Sequence, residues 1–158
     1  MKKNDKTNVM RILDQKKVPY EHYTYADTGA ISGQEVAAVL GQNPDQVFKT
    51  LVTVGKTGQH YVFVVPVSGE LDLKKAASAV GEKSIAMIKS KELLPLTGYV
   101  HGGCSPIGMK KFFPTTIDAS AGNHKTILFS AGKIGYQVEV SPEDLAKVIK
   151  YQLAEICE

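Results

Sequence analysis

The chain has 158 residues, 43% hydrophobic, 22% charged and 8% aromatic. That length suits one packed core, and the composition excludes a disordered, collagen-like or coiled-coil chain. Nineteen Lys and Arg against sixteen Asp and Glu leave a net charge of only +3, short of the coat of a strongly basic nucleic-acid binder. The excess is local: residues 1–17 hold Lys2, Lys3, Lys6, Arg11, Lys16 and Lys17 against Asp5 and Asp14, which suits a solvated helix face or a phosphate-contacting one.

The start MKKNDKTNVM lacks the apolar run of a signal peptide, and no apolar stretch reaches the 18 or so residues of a membrane helix. With only Cys104 and Cys157, the expected setting is a reducing cytoplasm with both thiols free.

In chain order, Val9, Ile12 and Leu13 share a helical face behind a Thr7 or Asn8 cap, and Pro19 stops that helix. Val18 to Tyr25 reads as a strand. Ser32-Gly33-Gln34-Glu35 fits a capping box, opening a helix from about Gly33 to Leu40 that Gly41 ends. Val47–Val54 and His60–Val67, rich in β-branched and aromatic residues and separated by Gly55-Lys56-Thr57-Gly58, form the clearest hairpin.

Asp72 caps a helix running through Val80 to Gly81, and a short one covers Lys91 to Leu94 before Pro95. A loop follows from Gly98 to Gly108, with six Gly, Ser or Pro in eleven residues. Strands are expected at Thr115–Asp118, Thr126–Ser130 and Gly135–Val140. Ser141-Pro142-Glu143-Asp144 then starts a C-terminal helix carrying Leu145, Val148, Ile149 and Leu153. Mixed order of hairpins and helices favours α+β over a doubly wound parallel sheet.

Several motif-like segments fail on spacing. Gly55-Lys56-Thr57 lacks the P-loop glycine, since Thr50 occupies that place, and is a hairpin tip. The glycines around Gly102 do not fit a dinucleotide fingerprint, and Pro106 interrupts any helix opening there. His101-x-x-Cys104 supplies two ligands where a metal site needs three or four, so no metal or cofactor is expected. Ser130-Ala131-Gly132-Lys133 matches Ser-x-x-Lys but leaves a strand, where the helix that pair needs would not form.

Two features keep a functional and a structural reading. The glycine loop is either a connection of awkward geometry or a row of backbone N–H groups set against a ligand. Lys49, inside Val47-Phe48-Lys49-Thr50-Leu51-Val52, either lays its stem along a sheet edge or, in a pocket, stabilises a phosphate or a developing oxyanion. Period two puts Lys49, Leu51 and Thr53 on one face and Phe48, Thr50 and Val52 on the other.

Phe48-Lys49-Thr50-Leu51, Leu71-Asp72-Leu73-Lys74-Lys75-Ala76-Ala77, the loop Thr97 to Lys111 with Gly102-Gly103-Cys104-Ser105-Pro106-Ile107-Gly108, and Ser130-Ala131-Gly132-Lys133-Ile134-Gly135 occur in one order. Together they resemble the YbaK/EbsC family over nearly the whole chain. That resemblance implies one editing domain over residues 1–158, similar to the one inserted in bacterial prolyl-tRNA synthetases. It implies an α+β fold built on a strongly curved, barrel-like mixed sheet flanked by helices.

The activity implied is hydrolysis of the ester of mischarged Cys-tRNA(Pro), and of Cys-tRNA(Cys). An Ala- or Ser-tRNA deacylase and a noncatalytic module that binds tRNA ends or a protein are the alternatives. Lys49, Gly102 and Gly103 match the catalytic positions, and Tyr25, Thr50 and Ser130 the substrate-binding ones. In this reading Lys49 holds the terminal adenosine and ester, while N–H groups of Gly102 and Gly103 face the carbonyl. The implied partners are the acceptor end of an aminoacyl-tRNA and a prolyl-tRNA synthetase, with no membrane. Ser32 stands where close members often have Phe, Gln137 where some have Asp, and Cys104 where close relatives have an apolar residue, so the accepted acyl group is the less determined part.

Overall fold

The computed structural model describes residues 6–158; Lys2, Lys3 and Asp5 of the basic cluster lie outside them. Lys6 pairs with Asp14 on the first helix, so one of the remaining cations is matched by a neighbouring carboxylate.

That helix, α1 (Asn8–Gln15), starts where the Thr7 hydroxyl accepts a hydrogen bond from Met10 N and buries Val9, Met10 and Leu13. Lys17, at φ 58°, turns the chain out of it, and the following strand β1 is shorter than predicted, Glu21–Thr24. The capping box on α2 (Gly33–Leu40) forms in full: Glu35 N donates to the Ser32 hydroxyl, and Ser32 N to the Glu35 carboxylate. The predicted hairpin is β2 (Phe48–Gly55) and β3 (His60–Pro66), in register from Phe48 opposite Pro66 to Val54 opposite His60.

After β3 come α3 (Leu73–Val80), capped by Asp72, β4 (Ile85–Met87), and α4 (Ser90–Thr97). The structure corrects the stop placed before Pro95. Pro95 sits inside α4, which continues until Gly98 leaves it at φ 85°, with Gly98 N donating to Leu94 O. Near the end of a helix, proline removes a single backbone hydrogen bond, and here the helix tolerates it. The chain then forms β5 (Thr115–Asp118), a 3-10 turn over Ala119–Asn123, β6 (Ile127–Ser130) and β7 (Tyr136–Val140).

The expected long C-terminal helix is also corrected. α5 covers only Pro142–Leu145, and Gln152–Ala154 is a strand, β8, pairing parallel with β5. Val148 and Ile149 still pack on the core, but Leu153 is 46% exposed. Its helix-like spacing loses to an open β5 edge whose backbone groups need partners.

α+β order holds, whereas the strongly curved, barrel-like sheet does not. Among the described residues the strands form two sheets, β1-β7-β6 and β4-β2-β3-β5-β8, neither closed on itself. Their link is one parallel bridge, Val47 to Leu128, after which the strands part. A barrel needs its ladder to close. The five-stranded sheet instead buries its alternating side chains on both faces: Val62 and Val64 join α1, Ile117, Phe129 and Val138, while Phe63 and Val65 pack with α3 and Ile156.

Asp118 ties the end of β5 to the C-terminal segment. Its carboxylate accepts from Ser120 N at 3.2 Å and from Ile156 N at 3.1 Å. Burial opposes its ionisation, but these hydrogen bonds outweigh that and hold its pKa below the ordinary value. Its contribution is therefore present above the ordinary carboxylate pKa of about 3.9 and lost as pH falls through the depressed folded value. Asp118→Ala, which strands the Ile156 N–H, is expected to cost about 1–3 kcal/mol in urea unfolding at neutral pH, with the deficit shrinking in strong acid.

Candidate functional site

The parting of the two sheets creates the site. Odd-numbered residues of β2 bond toward β3, as Val67 N to Val47 O (2.7 Å) and Gly55 N to Gln59 O (2.8 Å) show. Backbone groups of Phe48 and Thr50 are thereby directed to the opposite edge. On β6, Ala131 N donates to Tyr136 O, and Leu128 N points the other way, to Gln46 O, both at 3.0 Å. The same alternation turns the backbone of Ser130 toward β2. A cavity of about 430 Å³ occupies the gap.

Five of the six predicted site residues line this cavity: Tyr25, Lys49, Thr50, Gly102 and Ser130. Tyr25 is buried, one residue beyond β1, with its N–H donating to Gly135 O at 2.8 Å. Lys49 is half-buried, its Nζ 3.5 Å from the Glu70 carboxylate. The Thr50 hydroxyl is buried with no hydrogen-bond partner among the described residues. Ser130 Oγ accepts from Gly132 N at 3.1 Å, which caps the exit turn and leaves its own proton without an acceptor among the described residues. No helix follows Ser130, as the glycine in that segment predicts.

The glycine loop holds the sixth. Tyr99 pins it, its hydroxyl donating to Ile107 O. Gly102 has φ 88°, and a Cβ there would lie 3.0 Å from Ile31 Cγ2, so both backbone and space call for glycine. Gly103 plays a different part from its neighbour. Its N–H donates to Val100 O at 2.9 Å and is not free to face a carbonyl. A Cβ on Gly103 would sit 3.1 Å from Ile134 N and 3.4 Å from Lys133 C. Gly103→Ala is expected to cost about 1–3 kcal/mol in urea unfolding, because rigid backbone must move.

Cys104 also lines the cavity, and burial pushes its thiol up to about 12. It stays protonated at neutral pH, which supports its reading as a small semi-buried residue. No group of three or more His, Cys, Asp or Glu side chains placed to hold a metal occurs among the described residues. Their helices are all too short or too polar to cross a membrane.

Ser32 and Gln137, singled out in the sequence, both line the cavity. Gln137 is 3% exposed, and its amide is paired reciprocally with Gln42 at 2.7 and 3.0 Å. Gln42 and Glu70 escaped the sequence reading. No spacing signals Gln42, but the hairpin register carried a hint of Glu70: Lys49 lies opposite Val65, so the chain leaving β3 passes back beside the lysine.

The family described as aminoacyl-tRNA editing domain matches residues 29–148. The chain is 47% identical over 156 residues to EbsC of Enterococcus faecalis, assigned as a Cys-tRNA(Pro)/Cys-tRNA(Cys) deacylase, covering 98% of this chain and 95% of that protein. It is 29% identical over 119 residues to a proline–tRNA ligase of Shouchella clausii, covering 75% of this chain and 21% of the ligase. The fold matches the crystal structure of a protein assigned as a trans-editing enzyme for prolyl tRNA synthetase, with TM-score 0.81 and 24% identity over 96% of this chain and 98% of that one.

Proposed function

The chain belongs to the aminoacyl-tRNA editing domain family, and on that premise we propose that it hydrolyses the ester of mischarged Cys-tRNA(Pro), and of Cys-tRNA(Cys), as a step of translational quality control. Residues 1–158 act as one editing domain. The observation that carries this reading is the convergence of Tyr25, Lys49, Thr50, Gly102 and Ser130 on one cavity whose own thiol is held protonated.

An aminoacyl ester is already activated, so positioning and stabilisation of the developing oxyanion supply most of what catalysis needs. Lys49 holds the terminal adenosine and the ester. Gly102 offers its N–H to the carbonyl oxygen, while Gly103 keeps the loop against the Lys133–Ile134 peptide. Thr50, Ser130 and Tyr25 line the acyl and ribose side.

The nucleophile is the substrate's own thiol, with an unperturbed pKa of about 8.5. Its sulfur forms a bond to the ester carbonyl carbon, the bond to the ribose oxygen breaks, and that oxygen takes a proton as the tRNA leaves. Water then opens the cyclic thioester to free cysteine. This route explains why the cavity needs no nucleophile and base pair of its own.

A net charge of +3 suits binding of the acceptor end alone. A cytoplasmic proline–tRNA ligase, whose family includes sequences similar to this chain, is the partner expected to supply further tRNA affinity. Standalone binding should then weaken steeply with salt.

Initial deacylation rates with Cys-, Ser- and Ala-tRNA(Pro), corrected for spontaneous hydrolysis, test the substrate. Cys-tRNA is expected to be cleaved at least about tenfold faster than the other two. Faster cleavage of the alanyl or seryl ester would make the chain a deacylase for those residues, and binding without turnover would make it a tRNA-end binding module.

A further inference from the structure

Every aminoacyl ester carries an α-ammonium on the carbon next to the carbonyl under attack. A pocket that places a lysine at that carbonyl repels the ammonium unless an anion stands beside it. Glu70 is the one carboxylate among the described residues lining the cavity.

Three features suit Glu70 to this task. Its Oε2 lies 3.5 Å from Lys49 Nζ, so anion and cation stand side by side, as do the ammonium and carbonyl oxygen of an amino ester. At that distance the pair is longer than a charge-assisted hydrogen bond of about 2.7–2.9 Å, and each partner can take a ligand. Its backbone is also fixed: Glu158 N donates to Glu70 O at 2.9 Å, Asp72 N to Ile156 O at 2.8 Å, and Leu71 bridges Cys157. The side chain itself is 73% exposed, so the pair with Lys49 adds little to stability and the carboxylate remains open to substrate.

Resting on the deacylase reading above, we propose that Glu70 is the substrate-binding residue that accepts the α-ammonium of the aminoacyl ester. It thereby sets which way round the ester sits between Lys49 and Gly102.

The test compares Cys-tRNA(Pro) with 3-mercaptopropionyl-tRNA(Pro), which keeps the thiol and ester and lacks only the amino group. Each rate is corrected for its own spontaneous hydrolysis. The native chain is expected to favour the amino ester by about tenfold in kcat/KM, the scale of one charge-assisted hydrogen bond. Glu70→Gln should lose about tenfold on Cys-tRNA(Pro) and stay within about twofold on the desamino ester. Equal losses on both esters would mean that Glu70 acts only through Lys49, and an unchanged preference in the variant would remove it from recognition; either overturns the proposal.

Binding of non-hydrolysable 3′-amide analogues of the two acyl-adenosines separates this claim from the deacylase reading. A preference for the amino form that Glu70→Gln abolishes supports the ammonium site even where no ester is cleaved. Equal binding of both forms by the native chain overturns it even where Cys-tRNA(Pro) is cleaved.

Discussion

Lys49→Ala is expected to lower kcat/KM on Cys-tRNA(Pro) by about 10²–10³-fold, the usual effect of removing one group that stabilises a developing oxyanion. Its stability should hardly change. Lys49 lies near the start of β2 beside the opening between the sheets, and its only ion pair among the described residues is the long contact to an exposed Glu70, worth about 0–1 kcal/mol. The strand beneath is fixed by Phe48 and Val52 on one face and Leu51 on the other. Deacylation rates measured beside a thermal melt separate the two effects. A large drop in rate with an unmoved Tm supports the role of Lys49, whereas full activity removes it from the mechanism.

Blocking the substrate thiol should have a still larger effect. S-methylcysteinyl-tRNA(Pro) keeps the ester and the α-ammonium, loses the nucleophile and gains one methyl, and its rate is expected to fall by about a thousandfold, part of the advantage of an intramolecular attack. Cleavage of the unmodified ester should rise about tenfold per pH unit until the pH nears the thiol pKa of about 8.5, because the thiolate is the attacking form. Cys104, whose thiol is pushed up to about 12, would give the same slope with no levelling near pH 8.5, so the plateau identifies the substrate thiol, and Cys104→Ala should stay within about threefold of the parent. Undiminished cleavage of the S-methyl ester would reject substrate assistance and require an activated water.

Local chemistry in the sequence located most elements. Ser32 and Glu35 announced α2, Asp72 α3, and the β-branched runs around Gly55 the hairpin, because caps and turns satisfy backbone groups within a few residues. What local chemistry could not show was decided by distant pairing. β8 is three residues long and exists because β5 has an edge to fill. The two-sheet arrangement depends on β2 and β6 leaving register after Val47 and Leu128, contacts eighty-one positions apart that carry no periodic signal.

Legibility of the site divides in the same way. Period two placed Phe48 and Val52 opposite Leu51, as their packing bears out, but it could not tell an edge lysine from a pocket lysine. The gap that makes Lys49 a pocket residue is a property of the sheet split. Gly102 and Gly103 looked equivalent as letters. One has φ 88° and faces the cavity; the other has its N–H tied to Val100 O. Gln42 holds the cavity-lining Gln137 from 95 residues away in the chain.

The most direct measurement is loss of ester from Cys-tRNA(Pro) and Pro-tRNA(Pro) with the purified chain well below the tRNA concentration. The proposed activity predicts many turnovers on the cysteinyl ester, slowed about 10²–10³-fold by Lys49→Ala, and no cleavage of the prolyl ester above spontaneous hydrolysis. Ester loss at the spontaneous rate for both would contradict it.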